Sequence, residues 1–155
     1  MLEREYIDVN ARRFDDWYTA LHLASAWNDA SVVESLLQDA RIEVNAEAQT
    51  DKSTALHLAA LTDHGKIVEL LLGRREINVN ARESHDGYNA LHIASLFDGA
   101  NIVQLLLGSE EIDVNARGFD GFTPLHLASD LNHLNVVESL LEHPEIDVDG
   151  LHLAL

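Results

Sequence analysis

The stretch Gly121-Phe122-Thr123-Pro124-Leu125-His126-Leu127-Ala128 decides how this chain is read. Thr123 has the side chain of a helix N-cap, and Pro124 follows at the first helical position, where its fixed φ and missing N–H do no harm. Its Leu-His pair recurs: Leu21-His22, Leu56-His57, Leu91-His92 and Leu125-His126 stand at intervals of 35, 35 and 34 residues, and Leu151-His152 follows after 26. Thr19-Ala20, Thr54-Ala55 and Asn89-Ala90 take the place of Thr123-Pro124, so every copy keeps a capping side chain. A second marker, Val9-Asn10, Val44-Asn45, Val79-Asn80, Val114-Asn115 and Val148-Asp149, runs beside it at 35, 35, 35 and 34. A fixed period of this size is the signature of a repeat architecture.

Each period also carries a second helical stripe, with apolar residues at three-and-four spacing: Val33, Leu36 and Leu37; Val68, Leu71 and Leu72; Val103, Leu106 and Leu107; Val137, Leu140 and Leu141. Helices of about eight residues do not persist alone in water, so repeat must stack on repeat to bury these stripes. The expected fold is an all-α repeat solenoid.

The in-register motifs Gly121 to Ala128 and Ile112-Asp113-Val114-Asn115-Ala116 resemble those of the ankyrin-repeat family, and the resemblance covers nearly the whole chain. It implies stacked helix-turn-helix repeats with β-turn fingers. The expected organisation is a single array over 1–155, with full repeats at 11–45, 46–80, 81–115 and 116–149. Residues 1–10 read as the tail of a preceding repeat, because Leu2 precedes Asn10 as Leu37 precedes Asn45, and 150–155 as a truncated repeat start. Without a polar capping repeat at either end, the expectation is a piece of a longer array or covered termini. The family's usual period is 33 residues. Here each full repeat has one extra residue before Val-Asn, and the first three have another in the finger. The glycine expected between paired helices is replaced by Asn28, Asp63, Asp98 and Asn132, types that tolerate left-handed backbone.

Composition narrows the partners. Ten Lys and Arg against 27 Asp and Glu give a formal charge of -17, which disfavours nucleic acid and anionic membrane. No apolar run is long enough to span a bilayer, and Met1 to Asn10 lacks the apolar core of a signal peptide, so an intracellular, cytoplasmic location is the default expectation. With no cysteine, disulfides and thiolate metal sites are excluded.

Nine histidines invite a metal or catalytic reading. Five are the motif residues His22, His57, His92, His126 and His152, and helices stacked about 8–10 Å apart cannot bring equivalent side chains to one zinc, whose nitrogen ligands lie near 2 Å. The resemblance implies instead that each such His hydrogen-bonds the Thr of its own motif and backbone of a neighbouring repeat. Ser25, Ser95 and Ser129 each follow a motif His by three residues, as a nucleophile might follow its base, but Ala60 in the second repeat marks a packing position. No base, orienting group and oxyanion donor converge, and no phosphate-binding, dinucleotide or metalloprotease motif is present. The chain is read as no enzyme, with no metal site and no cofactor.

Of nine aromatics, Phe14, Trp17, Tyr18, Trp27, Tyr88, Phe97, Phe119 and Phe122 lie in fingers or at the end of a first helix. In ankyrin repeats the finger tips and the inner ends of first helices form a concave partner-binding surface. Matching by register gives Asp15, Asp16, Tyr18 and Trp27; Thr50, Asp51, Ser53, Leu61 and Thr62; His85, Asp86, Tyr88, Leu96 and Phe97; and Phe119, Asp120, Phe122, Asp130 and Leu131. The competing reading is that some aromatics only pack finger against finger, Trp17 above all, since it replaces the usual finger glycine. Aromatic anchors interleaved with acids point to another protein that is basic and partly apolar. Alanine at Tyr18, Tyr88 and Phe122 is expected to abolish capture with stability nearly unchanged. Asn10, Asn45, Asn80 and Asn115 read as turn braces; the resemblance also implies that they can be substrates for asparaginyl hydroxylation.

The expected function is a non-catalytic protein-protein interaction module. The alternatives are a substrate-recruiting domain of a larger enzyme or adaptor, and a structural tether. A monomer is expected, with end-to-end association as the variant behaviour.

Overall fold

A computed structural model describes residues 7–149. The expected tail at Leu2, the truncated start at 150–155 and His152 lie outside the described residues. Among the described residues eight helices follow one another: α1 Ala20–Ala26, α2 Ala30–Leu37, α3 Ala55–Leu61, α4 Gly65–Leu72, α5 Ala90–Leu96, α6 Ala100–Leu107, α7 Pro124–Asp130 and α8 Leu134–Leu141. The four first helices, α1, α3, α5 and α7, pack in sequence as one layer, and α2, α4, α6 and α8 as a second. This is an all-α repeat fold, with no strand among the described residues.

Each first helix opens on a capping box built from Thr19 and His22, Thr54 and His57, Asn89 and His92, or Thr123 and His126. Such caps satisfy amide hydrogens that short helices otherwise leave unpaired. Between paired helices, Asn28, Asp63, Asp98 and Asn132 all have φ between 58° and 60°. The types that stand in for glycine therefore take the left-handed turn it would have taken. The next amide then closes the corner, as His64 N–H donates to Ala59 O at 2.9 Å and Gly99 N–H to Ala94 O at 2.8 Å.

The second-helix stripes supply the core. Val33, Ile67, Val68, Leu71, Ile102, Val103, Leu106, Val136 and Leu140 are sealed between the layers, and each such side chain stabilises by about 1.5–3 kcal/mol relative to exposure. Histidines and asparagines then tie repeat to repeat. His22 Nε2 lies 3.0 Å from Ser53 O, His57 Nε2 3.2 Å from Tyr88 O, and His92 Nε2 3.0 Å from Phe122 O. The Nδ1 atoms of His22 and His57 accept backbone N–H groups at 3.1 Å, which makes Nε2 the donor to the next repeat.

The Val-Asn asparagines brace the following repeat, not their own turn. Asn45 Nδ2 donates to Glu76 O at 2.6 Å and its Oδ1 accepts Asn78 N–H at 2.8 Å; Asn80 does the same with Glu111 O and Asp113 N–H at 2.7 and 2.8 Å. Asn10 and Asn115 repeat the pattern.

Candidate functional site

Each finger is a turn whose base is closed by backbone bonds. Arg13 N–H donates to Tyr18 O at 2.9 Å, Ala48 N–H to Ser53 O at 2.8 Å, Glu83 N–H to Tyr88 O at 3.0 Å and Gly118 N–H to Phe122 O at 2.9 Å. The turns need left-handed backbone, which Gly87 and Gly121 adopt at φ 69° and 83°, and which Trp17 and Lys52 also adopt at 63° and 58°. Adjacent fingers are joined where Ser84 N–H meets Asp51 O and Phe119 N–H meets Asp86 O, both at 2.7 Å. Arginines of the recurring Asn-Ala-Arg add to this: Arg12 donates to Glu47 O at 2.6 Å, Arg82 donates to Gly87 O at 2.9 Å and to Arg117 O, and Arg117 donates to Gly121 O at 2.9 Å. Sequence reasoning missed these arginines, although the repeated tripeptide was their signal.

A finger carboxylate holds each turn. Asp16, Asp51 and Asp120 accept through Oδ1 the N–H two residues on, at 3.0, 2.9 and 2.9 Å. Asp16 also pairs with Arg13, and the guanidinium hydrogen bond lowers the acid's pKa; Asp15 pairs with the same arginine at 2.9 Å. In the third finger Glu83 takes over this work. Its carboxylate accepts His85 N–H at 2.6 Å, Asp86 N–H at 2.8 Å and Tyr88 N–H at 3.0 Å. Burial works against the Glu83 charge, but these three bonds prevail and its pKa is lowered. Asp86 is exposed, and its carboxylate has no hydrogen bond or ion pair among the described residues.

The expected anchors separate into two groups. Tyr88 is 8% exposed, its ring stacks on His92 at 4.8 Å, and its hydroxyl donates to Asp120 Oδ2. Gly118 makes room for that ring, since a Cβ there would run into it. Desolvation, aided by Asp120, raises the Tyr88 phenol pKa. For Tyr88 the finger-packing reading is the one realised, and the expectation that its loss leaves stability unchanged is corrected. Ser53 is likewise buried, its carbonyl facing His22. Tyr18 and Phe122 are half-buried against His22 and His126, at 5.2 Å stacked and 5.8 Å edge-on.

The second group faces solvent. Trp27 is 81% exposed, Phe97 58%, Leu61 46% and Leu131 45%, each at the C-terminal end of a first helix. Leu96 is half-buried, and Asp130 is exposed beside Leu131. Thr62 is exposed, its hydroxyl donating to Leu58 O at 2.7 Å. Thr50, His85, Phe119 and Asp120 are exposed on the fingers, with the Arg82 guanidinium 5.5 Å from the centre of the Phe119 ring. Phe14, left out of the register match, is also fully outside.

Ser25 and Ser95 are buried, their hydroxyls without a partner, and the motif imidazoles beside them are spent on caps and carbonyls. Among the described residues no group of three or more His, Asp or Glu is arranged to hold a metal ion, and no helix is long and apolar enough to cross a membrane. A family model described as ankyrin repeats (3 copies) matches residues 21–118 and, overlapping, 77–150. A comparison with curated proteins finds no match.

Proposed function

The chain belongs to the ankyrin-repeat family, whose repeats are generally protein-protein interaction modules and typically non-catalytic, and on that premise we propose that it holds a partner protein on the face made by its fingers and first-helix ends. The observation that carries this reading is the row of Trp27, Leu61, Phe97 and Leu131, one large apolar side chain per repeat left in water. A fold that seals Leu71 and Leu106 completely gains nothing for itself from such a row, whereas exposed aromatic and aliphatic anchors are what protein interfaces use.

The test is affinity capture with the wild type, with W27A/L61A/F97A, and with E34A/E69A/E138A on the second helices. Proteins enriched by the wild type should be lost with the first variant and kept with the second, while all three melt within a few degrees of one another. Retention by the apolar-row variant would overturn the assignment.

A further inference from the structure

Resting on that reading, we propose that the occupant of the face is a basic amphipathic segment laid in one direction, its apolar end over the first repeat and its cations over repeats two to four. The apolar row runs along all four repeats, but the charge beside it does not. At the first repeat the acids are already committed: Asp15 and Asp16 pair with Arg13, and Asp29 caps α2 by accepting Val32 N–H at 3.1 Å. Phe14 and Trp27 stand exposed there, so this end offers rings beside acids that already hold internal bonds.

Farther along, the acids next to the row are uncommitted. Asp63 and Asp98 follow the exposed ends of α3 and α5, and Asp130 closes α7; all three are exposed and lack ion pairs among the described residues. The first helices end on carbonyl groups whose dipoles add to that negative potential. Asp86, on the finger that precedes the N-terminus of α5, is a further exposed acid of this kind. Asp16, Asp51 and Asp120 each spend an oxygen on their own turn, whereas Glu83 performs that bracing in the third finger and leaves both Asp86 oxygens to solvent. A partner's Lys or Arg meets an accepting carboxylate there that need break no internal bond. The chain's charge of -17 favours the same sign of partner at longer range.

The probes are two synthetic 18-residue amphipathic peptides, one of Lys and Leu and one with Glu for every Lys, titrated at 0.15 M salt against the wild type, D63N/D86N/D98N and E34Q/E110Q/E138Q. The two variants change net charge equally, and Asn suits the left-handed turns at 63 and 98. The Lys-Leu peptide should bind the wild type and weaken about tenfold or more in the aspartate variant, as expected when close charge pairs are removed, but less than about threefold in the glutamate variant. A quencher at the apolar end of an asymmetric Lys-Leu peptide should dim Trp27 more than one at its basic end. Equal weakening in both variants, equal binding of the Glu-Leu peptide, no binding of the Lys-Leu peptide, or equal quenching from both ends would each overturn the proposal. Proteins captured through the apolar row yet indifferent to D63N/D86N/D98N would sink this inference and leave the docking face standing.

Discussion

Asn89 Oδ1 lies 2.8 Å from Nδ1 of His92 while that same nitrogen faces the Asn89 backbone N–H at 3.3 Å. Both Oδ1 and Nδ1 are acceptors in neutral side chains, and Asn89 Nδ2 is buried without a partner. The other three repeats resolve this with threonine, whose hydroxyl donates to the imidazole and accepts the His amide: in the fourth, Thr123 Oγ1 lies 2.8 Å from His126 Nδ1 and 3.2 Å from its N. Turning the Asn89 amide over would only set its NH₂ against the His92 N–H, now 3.0 Å from Oδ1. N89T should therefore stabilise the protein by about 1–2 kcal/mol, the cost of one orphaned buried group. A urea midpoint unchanged or lowered in N89T would sink the argument.

A smaller gain is expected in the second finger. Lys52 sits at φ 58°, where Gly87 and Gly121 serve the third and fourth fingers. A side chain in left-handed backbone costs roughly 1–2 kcal/mol, partly offset by the larger entropy that glycine loses on folding, about 0.5–1 kcal/mol. K52G should raise stability by about 0.5–1 kcal/mol, or roughly 1–4 °C in melting temperature at this chain length. Differential scanning calorimetry of the two proteins decides it, and a lower melting temperature would mean that the Lys52 side chain makes a compensating contact.

Much of this was legible in the sequence, for reasons that vary with position. The caps and corners were readable because Thr19 and His22, or Asp63 alone, act within a few residues of themselves. The fate of Tyr88 was not, because its burial depends on the absence of a Cβ at Gly118, thirty residues away, and on a hydroxyl bond to Asp120. Register placed Tyr88 beside Tyr18 as an equivalent anchor, yet the neighbouring finger decides how much of each ring is left over. The freeing of Asp86 was equally hidden: only geometry shows that Glu83, one turn of the finger earlier, accepts three amides.

Acid should weaken the fold earlier than carboxylate titration alone implies. Burial lowers the pKa of His22 and His57, and that of His92 to about 4. The unfolded chain takes up these protons near the ordinary histidine value of about 6.5, so it binds more protons than the folded state as pH falls below that value. The stability from these imidazoles is full above about pH 6.5 and is lost as pH drops toward 4. Relief of the chain's net negative charge acts the other way, but most carboxylates stay ionised above pH 5. The urea midpoint should be lower at pH 5 than at pH 7, with unchanged slope. An equal or higher midpoint at pH 5 would show that charge relief outweighs the buried imidazoles.

Asn80 tests whether repeats are coupled by specific bonds as well as by buried stripes. Its amide donates to Glu111 O at 2.7 Å and accepts Asp113 N–H at 2.8 Å, so one side chain fastens the second repeat's end to the third's. N80A loses both bonds and should cost about 1–3 kcal/mol, at roughly 0.5–1.5 kcal/mol per bond. N80D is the sharper experiment because it keeps the shape and the acceptor. Its carboxylate would meet the Glu111 carbonyl where an N–H now stands, replacing attraction by repulsion at a half-buried site. Were Asn80 only a turn former, Asp would serve nearly as well, since both residues favour turns. The inter-repeat role instead requires N80D to be at least as damaging as N80A at pH 7. It also requires N80D to recover as the carboxyl is protonated below about pH 4, relative to N80A in the same buffer. Urea titrations of the two variants at pH 7 and pH 4 read both effects, and an N80D protein as stable as the wild type at pH 7 would reduce Asn80 to a local turn residue.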